Sequence, residues 1–439
     1  MADQYRNDQD NDQHDRDLFV QDHTRSGAAP DLRIVQLDVM RGVAVLGIYL
    51  VNVFVFGLPS TAVELPHLLG EAVTLNTTTW AISGTFIEGS MRGLFSILFG
   101  ASTLVFLSEA RVAEQGLAVV DRYYRRTILL MLFGMIHGFF LLNTLDVLYA
   151  YGLLGMFLFP LRRLGGYTLL AGALALLALS SVHVMSLSTE AEPAPSETEV
   201  VLSPESYEKF KGAAYEHMAT EIEIYRTDYL TIFSLQFEDV IDQESLTMYT
   251  NHLFDIGGMM LIGMAMFKLG VLSGARSMLL YLGLAVFGYS IGGGMRGYGM
   301  YQVYAANFDP NMIQIVISRS FYDMDRLALT LGHVGVIGLI CKAAWAKILT
   351  HPLAALGRMA LTNYIAQTII SIFLFYGFGF GLFGAFERFE LYGVVLFVWI
   401  SLGAFSILWL KGFYLGPLEW VWRSLVYGTI QPLRRQRNT

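Results

Sequence analysis

One cysteine, Cys341, stands in the whole 439-residue chain. Disulfide frameworks and cysteine-cluster metal sites are excluded on that count. Charge is sparse as well: only 15% of the residues are Asp, Glu, Lys or Arg, against about 25% in soluble domains. No concentrated basic patch exists, and nothing invites nucleic acid. No Walker A loop or zincin helix is present, and "GGGMRG" at 292–297 is a glycine run at a helix end, not a dinucleotide loop. Few of the 11 prolines interrupt apolar runs, and no inverted repeat is visible, so the sequence lacks two marks of secondary transporters. The first 33 residues hold eight aspartates and no apolar core. That segment is no signal peptide and reads as a disordered cytoplasmic tail.

What the chain does have is hydrophobicity. Residues of the apolar and aromatic classes make up 54%, and the mean hydropathy is +0.49. Apolar stretches long enough to cross ~30 Å of hydrocarbon as helices follow one another. Backbone groups in lipid must bond internally, so the expected class is all-α: a polytopic transmembrane helical bundle. Ten spans fit the hydropathy, near 35–57, 89–108, 124–142, 146–161, 166–188, 249–271, 278–297, 325–346, 354–380 and 392–412.

Orientation follows from the basic residues. One set of ends collects Arg25, Arg33, Arg111, Arg122, Arg125, Arg126, Arg162, Arg163, Arg276, Lys342, Lys347, Arg358, Arg434, Arg435 and Arg437, while 57–91 has neither Lys nor Arg. Both termini are then cytoplasmic, which requires an even number of spans. The expected domains are the tail 1–33, a five-span half 34–189, an acidic extracytoplasmic loop 190–248, a second five-span half 249–413, and an amphipathic interfacial segment 414–439. Within the loop, Ser203, Pro204 and Glu205 mark a helix start.

Polar groups inside spans are costly and default to functional candidates, with helix–helix hydrogen bonding as the plain alternative. Asp38 and Arg41 are three apart and can pair, with Asn52 three turns farther along nearly the same face. Arg92 has Glu88 one turn before it as the near partner. In "GMIHGFFLLNTLDVLYAYG" (134–152), His137 is mid-span, Asn143 and Asp146 form the hairpin, and Tyr151 opens the next helix. His137 and Asp146 would be ~13 Å apart on one straight helix, so contact requires the hairpin to fold back. His252 and Asp255, Asp323, Asp325, Arg326 and His333, and Asn363, Tyr364 and Gln367 complete the set. A metal site would need further converging ligands. The aromatic run "FLFYGFGFGLFG" reads as lipid-facing packing.

"LDVMRGVAVLGIYLVN", "RGLFSILFGAS", "GMIHGFFLLNTLDVLYAYG", "GRMALTNYIAQ" and "GPLEWVWRSLVYG" together resemble the YeiB-type family of bacterial inner-membrane proteins of unknown function. The first span, in its Asp38, Arg41, Gly42 and Asn52, also resembles the opening of transmembrane acyltransferases such as heparan-α-glucosaminide N-acetyltransferase. That resemblance implies an acyl group taken from cytoplasmic acyl-CoA and delivered to a sugar, glycan or lipid acceptor. The catalytic histidine of that acetyltransferase lies in the loop after its first span, where His67 stands here.

Three readings follow. In an acyltransferase, Asp38 and Arg41, with Arg125 and Arg126, would hold the donor's phosphates, and Arg92, Tyr151 and Asn363 would complete the substrate contacts. His137 would be the general base, Asp146 its orienter, and Asn52 an oxyanion donor. No bound cofactor or metal is expected, and acyl-CoA would be a co-substrate. In a transporter or flippase, Asp146, Asp255 or Asp323 would couple protons. In a membrane scaffold, the acidic loop would recruit a partner.

Overall fold

The computed structural model describes residues 34–70, 73–108, 115–190, 203–245, 253–309, 312–313, 316, 322–343 and 346–435. His252, Arg25, Arg33, Arg111, Arg437 and the N-terminal tail lie outside them. Among the described residues every regular element is helical, apart from one isolated bridge between Phe413 and Arg434. The principal helices are α1 (Val35–Gly57), α2 (Val73–Phe86), α3 (Ser90–Phe106), α4 (Leu117–Met135), α5 (Leu148–Leu161), α6 (Gly166–Glu190), α7 (Pro204–Tyr225), α8 (Tyr229–Asp242), α9 (Leu253–Lys268), α10 (Met278–Gly288), α11 (Gly294–Ala305), α12 (Tyr322–Lys342), α13 (Lys347–Arg358), α14 (Ala360–Phe375), α15 (Leu391–Gly412) and α16 (Pro417–Tyr427).

Six of these segments are long and apolar enough to cross a membrane: α1, α2 with α3, α6, α10 with α11, α12, and α15. A seventh follows if α13 and α14, bent by 81° at Met359, form one span. The shortfall from ten has a physical basis. α4 opens with Asp121, Arg122, Arg125 and Arg126, α5 has 14 residues, and α9 has 16.

The helices share two ends. At the basic end, Trp422 of α16 donates to the Arg126 carbonyl, Lys268 to the Arg162 and Leu164 carbonyls, and Lys342 to the Gly274 carbonyl. Lys268 and Lys342 each stand in the last turn of their own helix, where the helix dipole favours a cation. At the opposite end, α7 and α8 cover the bundle. Ser203 caps α7 by accepting from the Ser206 amide, as the sequence predicts.

Several helix pairs touch backbone to backbone, α1 with α13 and α3 with α9 among them. A side chain on Gly42 of α1 would collide with the Leu353 carbonyl of α13, and one on Gly357 of α13 with the Asp38 carbonyl. Gly100 of α3 and Gly263 of α9 repeat this against the Met260 and Ile97 carbonyls. Small residues permit such approach, and dispersion contacts then hold the helices.

One helix lies outside the expected spans, and one expectation is corrected in part. Residues 73–86 form a helix, although "VTLNTTTWAISGTF" offers no long apolar run and its threonines are weak helix formers. The aromatic run at 373–384 is packed in part under α7, while Phe373 and Phe380 stay exposed. Phe375, Tyr376 and Phe383 are buried, the Tyr225 ring stacks on Phe383 at 4.3 Å, and Arg226 donates twice to the Phe383 carbonyl.

Candidate functional site

The hairpin between α4 and α5 builds a buried polar constellation. α4 does not end normally: it widens into a π turn over Ile136–Phe140, a device frequent at functional sites. Leu142 then takes a left-handed φ of 55°, a conformation that costs a non-glycine residue energy and must be held by its surroundings. The Asn143 amide bonds back to the His137 and Gly138 carbonyls, and its side-chain oxygen accepts from the Leu145 amide. The chain therefore folds back on itself, and Asp146 returns to His137.

His137 Nδ1 lies 2.6 Å from Asp146 Oδ1. Asp146 Oδ2 accepts the Tyr149 amide at 2.9 Å, at the start of α5, where helix polarity favours a carboxylate. With a carboxylate on Nδ1, that nitrogen carries the proton and Nε2 presents its lone pair. Nε2 faces Thr368 Oγ1 of α14 at 2.8 Å. Asn143 Nδ2 donates to the same hydroxyl at 3.0 Å and stands 3.2 Å from Nε2. Tyr364, one turn before Thr368, meets the imidazole edge-on at 4.9 Å. His137 is fully buried, and Asn143, Asp146 and Thr368 are nearly so.

Carboxylate, imidazole and hydroxyl in a line is the arrangement that activates a hydroxyl for attack or holds an acceptor hydroxyl to a base. The sequence reading found His137, Asn143 and Asp146 but missed Thr368. Its only signal was a hydroxyl one residue beyond Gln367 on a polar stripe of α14, and 231 positions separate it from His137.

The other candidates separate into three groups. At the basic end, Arg41 pairs with Asp38 at 2.9 Å and bonds Ser102 at 3.0 Å. Arg126 lies within electrostatic reach of Arg41 and stacks its guanidinium on Trp422, Phe106 and Phe99, with no acidic partner among the described residues. Arg125 turns outward to Asp121 on an exposed face.

Toward the other end lies an ion-pair network. Arg92 pairs with Asp255 at 2.8 Å rather than with Glu88 one turn away. Arg326, fully buried, contacts both Asp255 and Asp323, and Arg296 pairs with Asp325 at 2.9 Å. Tyr151 bonds Ser96 and the Arg92 carbonyl beside it. Breaking one member of such a buried set is costly because its partner keeps its charge.

The remaining candidates stand apart. Asn363 is buried between the Leu356 carbonyl and Ser406, which joins α14 to α13 and α15. Asn52 is half-buried and no hydrogen bond ties it to the dyad. Among the described residues no group of three or more His, Cys, Asp or Glu is placed to hold a metal ion. A cleft of about 880 Å³ opens at the end covered by α7, lined by His67, Trp80, Tyr207, Phe308, Asp309 and several threonines. It contains none of the constellation above.

Comparison with known proteins now adds lineage. Residues 266–429 match the family model described as "Protein of unknown function (DUF418)". The chain is 30% identical over 420 residues to "Uncharacterized protein YeiB" of Escherichia coli (strain K12), covering 91% of this chain and 98% of that one. The chain belongs to the YeiB family. A Bacillus subtilis (strain 168) relative in the family, "Uncharacterized protein YxaH", is 28% identical over 418 residues, covering 92% and 96% of the two chains. No solved structure matches the chain. The five sequence stretches that suggested this family lie on α1, α3, the α4–α5 hairpin, the α13–α14 bend and α16.

Proposed function

We propose that this YeiB-family member is a membrane acyltransferase that moves an acyl group from acyl-CoA to a sugar, glycan or lipid hydroxyl. The observation that carries this reading is the line Asp146–His137–Thr368. His137 Nε2, in the tautomer Asp146 enforces, takes the proton of an acceptor hydroxyl seated where Thr368 Oγ1 now sits. The oxygen attacks the thioester carbonyl, the carbon–sulfur bond breaks, and the departing thiolate receives the proton from His137. Asn143, rather than Asn52, is placed to donate to the developing oxyanion. Arg41 and Arg126 supply the phosphate-binding pair at the basic end. Under this reading the basic end is cytoplasmic, both termini lie there, ten crossings are completed by α4, α5 and α9, and the membrane is the bacterial inner membrane.

The test is thioester turnover by purified full-length chain in lipid nanodiscs across short- and long-chain acyl-CoA. Turnover should fall by about 10²-fold or more in His137→Ala, while Arg41→Ala should weaken acyl-CoA binding. Undiminished turnover in His137→Ala removes the dyad from the chemistry.

The 81° break between α13 and α14 favours a second reading, since transporters use broken helices at their sites. Movement of a solute or lipid across proteoliposomes without covalent change would select that transporter or flippase reading.

A further inference from the structure

The end of α8 lies along the π turn that carries His137. Phe237 meets Phe139 at 5.4 Å, and Phe233 meets Phe140 at 6.4 Å. Tyr229 donates to the Phe140 carbonyl at 2.9 Å. The helical path continues past Asp242 to Ser245, which sets Glu244 directly over Gly138. A methyl group on Gly138 would stand 3.0 Å from Glu244 Oε1 and 3.1 Å from Val240 Cγ1.

That oxygen is buried, and among the described residues it has no hydrogen-bond partner and no Lys, Arg or His pairs with the carboxyl. The charged group facing it across the hairpin is Asp146, beside the imidazole of His137. On its own helix stand Glu238, Asp239 and Asp242. From α7, Arg226 is spent on the Phe383 carbonyl and Glu221 on Ser60. Among the described residues, every ionised neighbour that bears on Glu244 is thus negative, so an ionised carboxylate here would be both desolvated and repelled.

We propose that Glu244 is the outer member of the His137–Asp146 site, a carboxylic acid whose proton holds the end of α8 closed over the dyad. Loss of that proton to solvent leaves two carboxylates facing each other, and α8 lifts from the π turn to admit a substrate to the otherwise sealed imidazole. Burial first, and Asp146 second, push the Glu244 carboxyl up to about 7. A raised acid favours the closed state fully below its ordinary range near 4.5 and loses that contribution as pH rises through about 7. Closure therefore weakens across the neutral range.

Amide hydrogen exchange over 134–147, on the full chain in nanodiscs and corrected for chemical exchange, reads this directly. Wild-type protection should fall on the order of tenfold between about pH 5.5 and 8.5. Glu244→Gln, which keeps the shape of the neutral acid, should stay protected throughout. Infrared titration should show a carboxylic acid deprotonating near pH 7 that is absent from Glu244→Gln. The same pH dependence in both proteins, or persistence of that band in the variant, overturns the proposal. Neither readout needs a substrate, so both stand whether or not acyl transfer is the activity.

Discussion

Thr368 Oγ1 sits 2.8 Å from His137 Nε2, joining α14 to a hairpin 231 residues earlier. The contact is buried, so loss of the hydroxyl leaves His137 Nε2 with only Asn143 Nδ2, at 3.2 Å, beside it. Thr368→Val keeps the volume but removes the hydroxyl, and should cost about 1–3 kcal/mol. Thr368→Ser should recover most of it. Thermal unfolding in detergent gives the comparison. Because Asp146 and His137 form one unit, His137→Gln with Asp146→Asn should destabilise by less than the sum of the single changes.

Arg326 supports a second prediction. Its guanidinium contacts Asp255 and Asp323 with no exposure to solvent. Arg326→Met should lose about 3–5 kcal/mol, the range for breaking a buried pair and leaving charge behind. Adding Asp323→Asn should restore part of the loss. Folded yield by size-exclusion chromatography and the melting midpoint would show both effects, and additive damage would contradict the pairing.

Backbone contact gives a third. Gly100→Ala on α3 drives a methyl into the Met260 carbonyl of α9, and overpacking of this kind costs about 1–3 kcal/mol. Gly283→Ala on α10 meets nothing within 4 Å and should be neutral or slightly stabilising. The two melting midpoints, measured side by side, separate close approach from helix propensity.

His67 gives a pH-dependent prediction outside the spans. Burial, with Lys211 second, lowers its imidazole to about 4. The ring stacks on Phe308 at 4.6 Å and bonds the Tyr207 hydroxyl at 2.8 Å. A depressed histidine contributes stability above its ordinary range near 6.5 that is lost as pH falls toward 4. Amide protection of 60–68 should drop between pH 7 and pH 4.5, and His67→Gln should flatten that dependence.

What the sequence could show was local. Asp38 and Arg41, three apart on α1, pair as spacing predicts, and Ser203 caps α7. The helical class and the family were legible from apolar runs and ordered motifs. Long-range partners were not. Arg92 had Glu88 one turn away, yet its carboxylate comes from Asp255, 163 residues on. Thr368 looked like one hydroxyl among several on α14. His137 and Asp146 seemed too far apart along a straight helix, and the π turn with Leu142 in a left-handed conformation removes that distance. Such a backbone irregularity has no periodic signature.

The arginine and aspartate network has an electrical consequence. With all six side chains ionised, Arg92, Arg296 and Arg326 balance Asp255, Asp323 and Asp325. Carrying one elementary charge across a membrane does work of about 2.3 kcal/mol per 100 mV, but a neutral set moving as a body does none. A translation that carries these six side chains together therefore draws no work from the transmembrane voltage through the network, and any voltage sensitivity would have to come from charges outside it, such as Lys268 and Lys342.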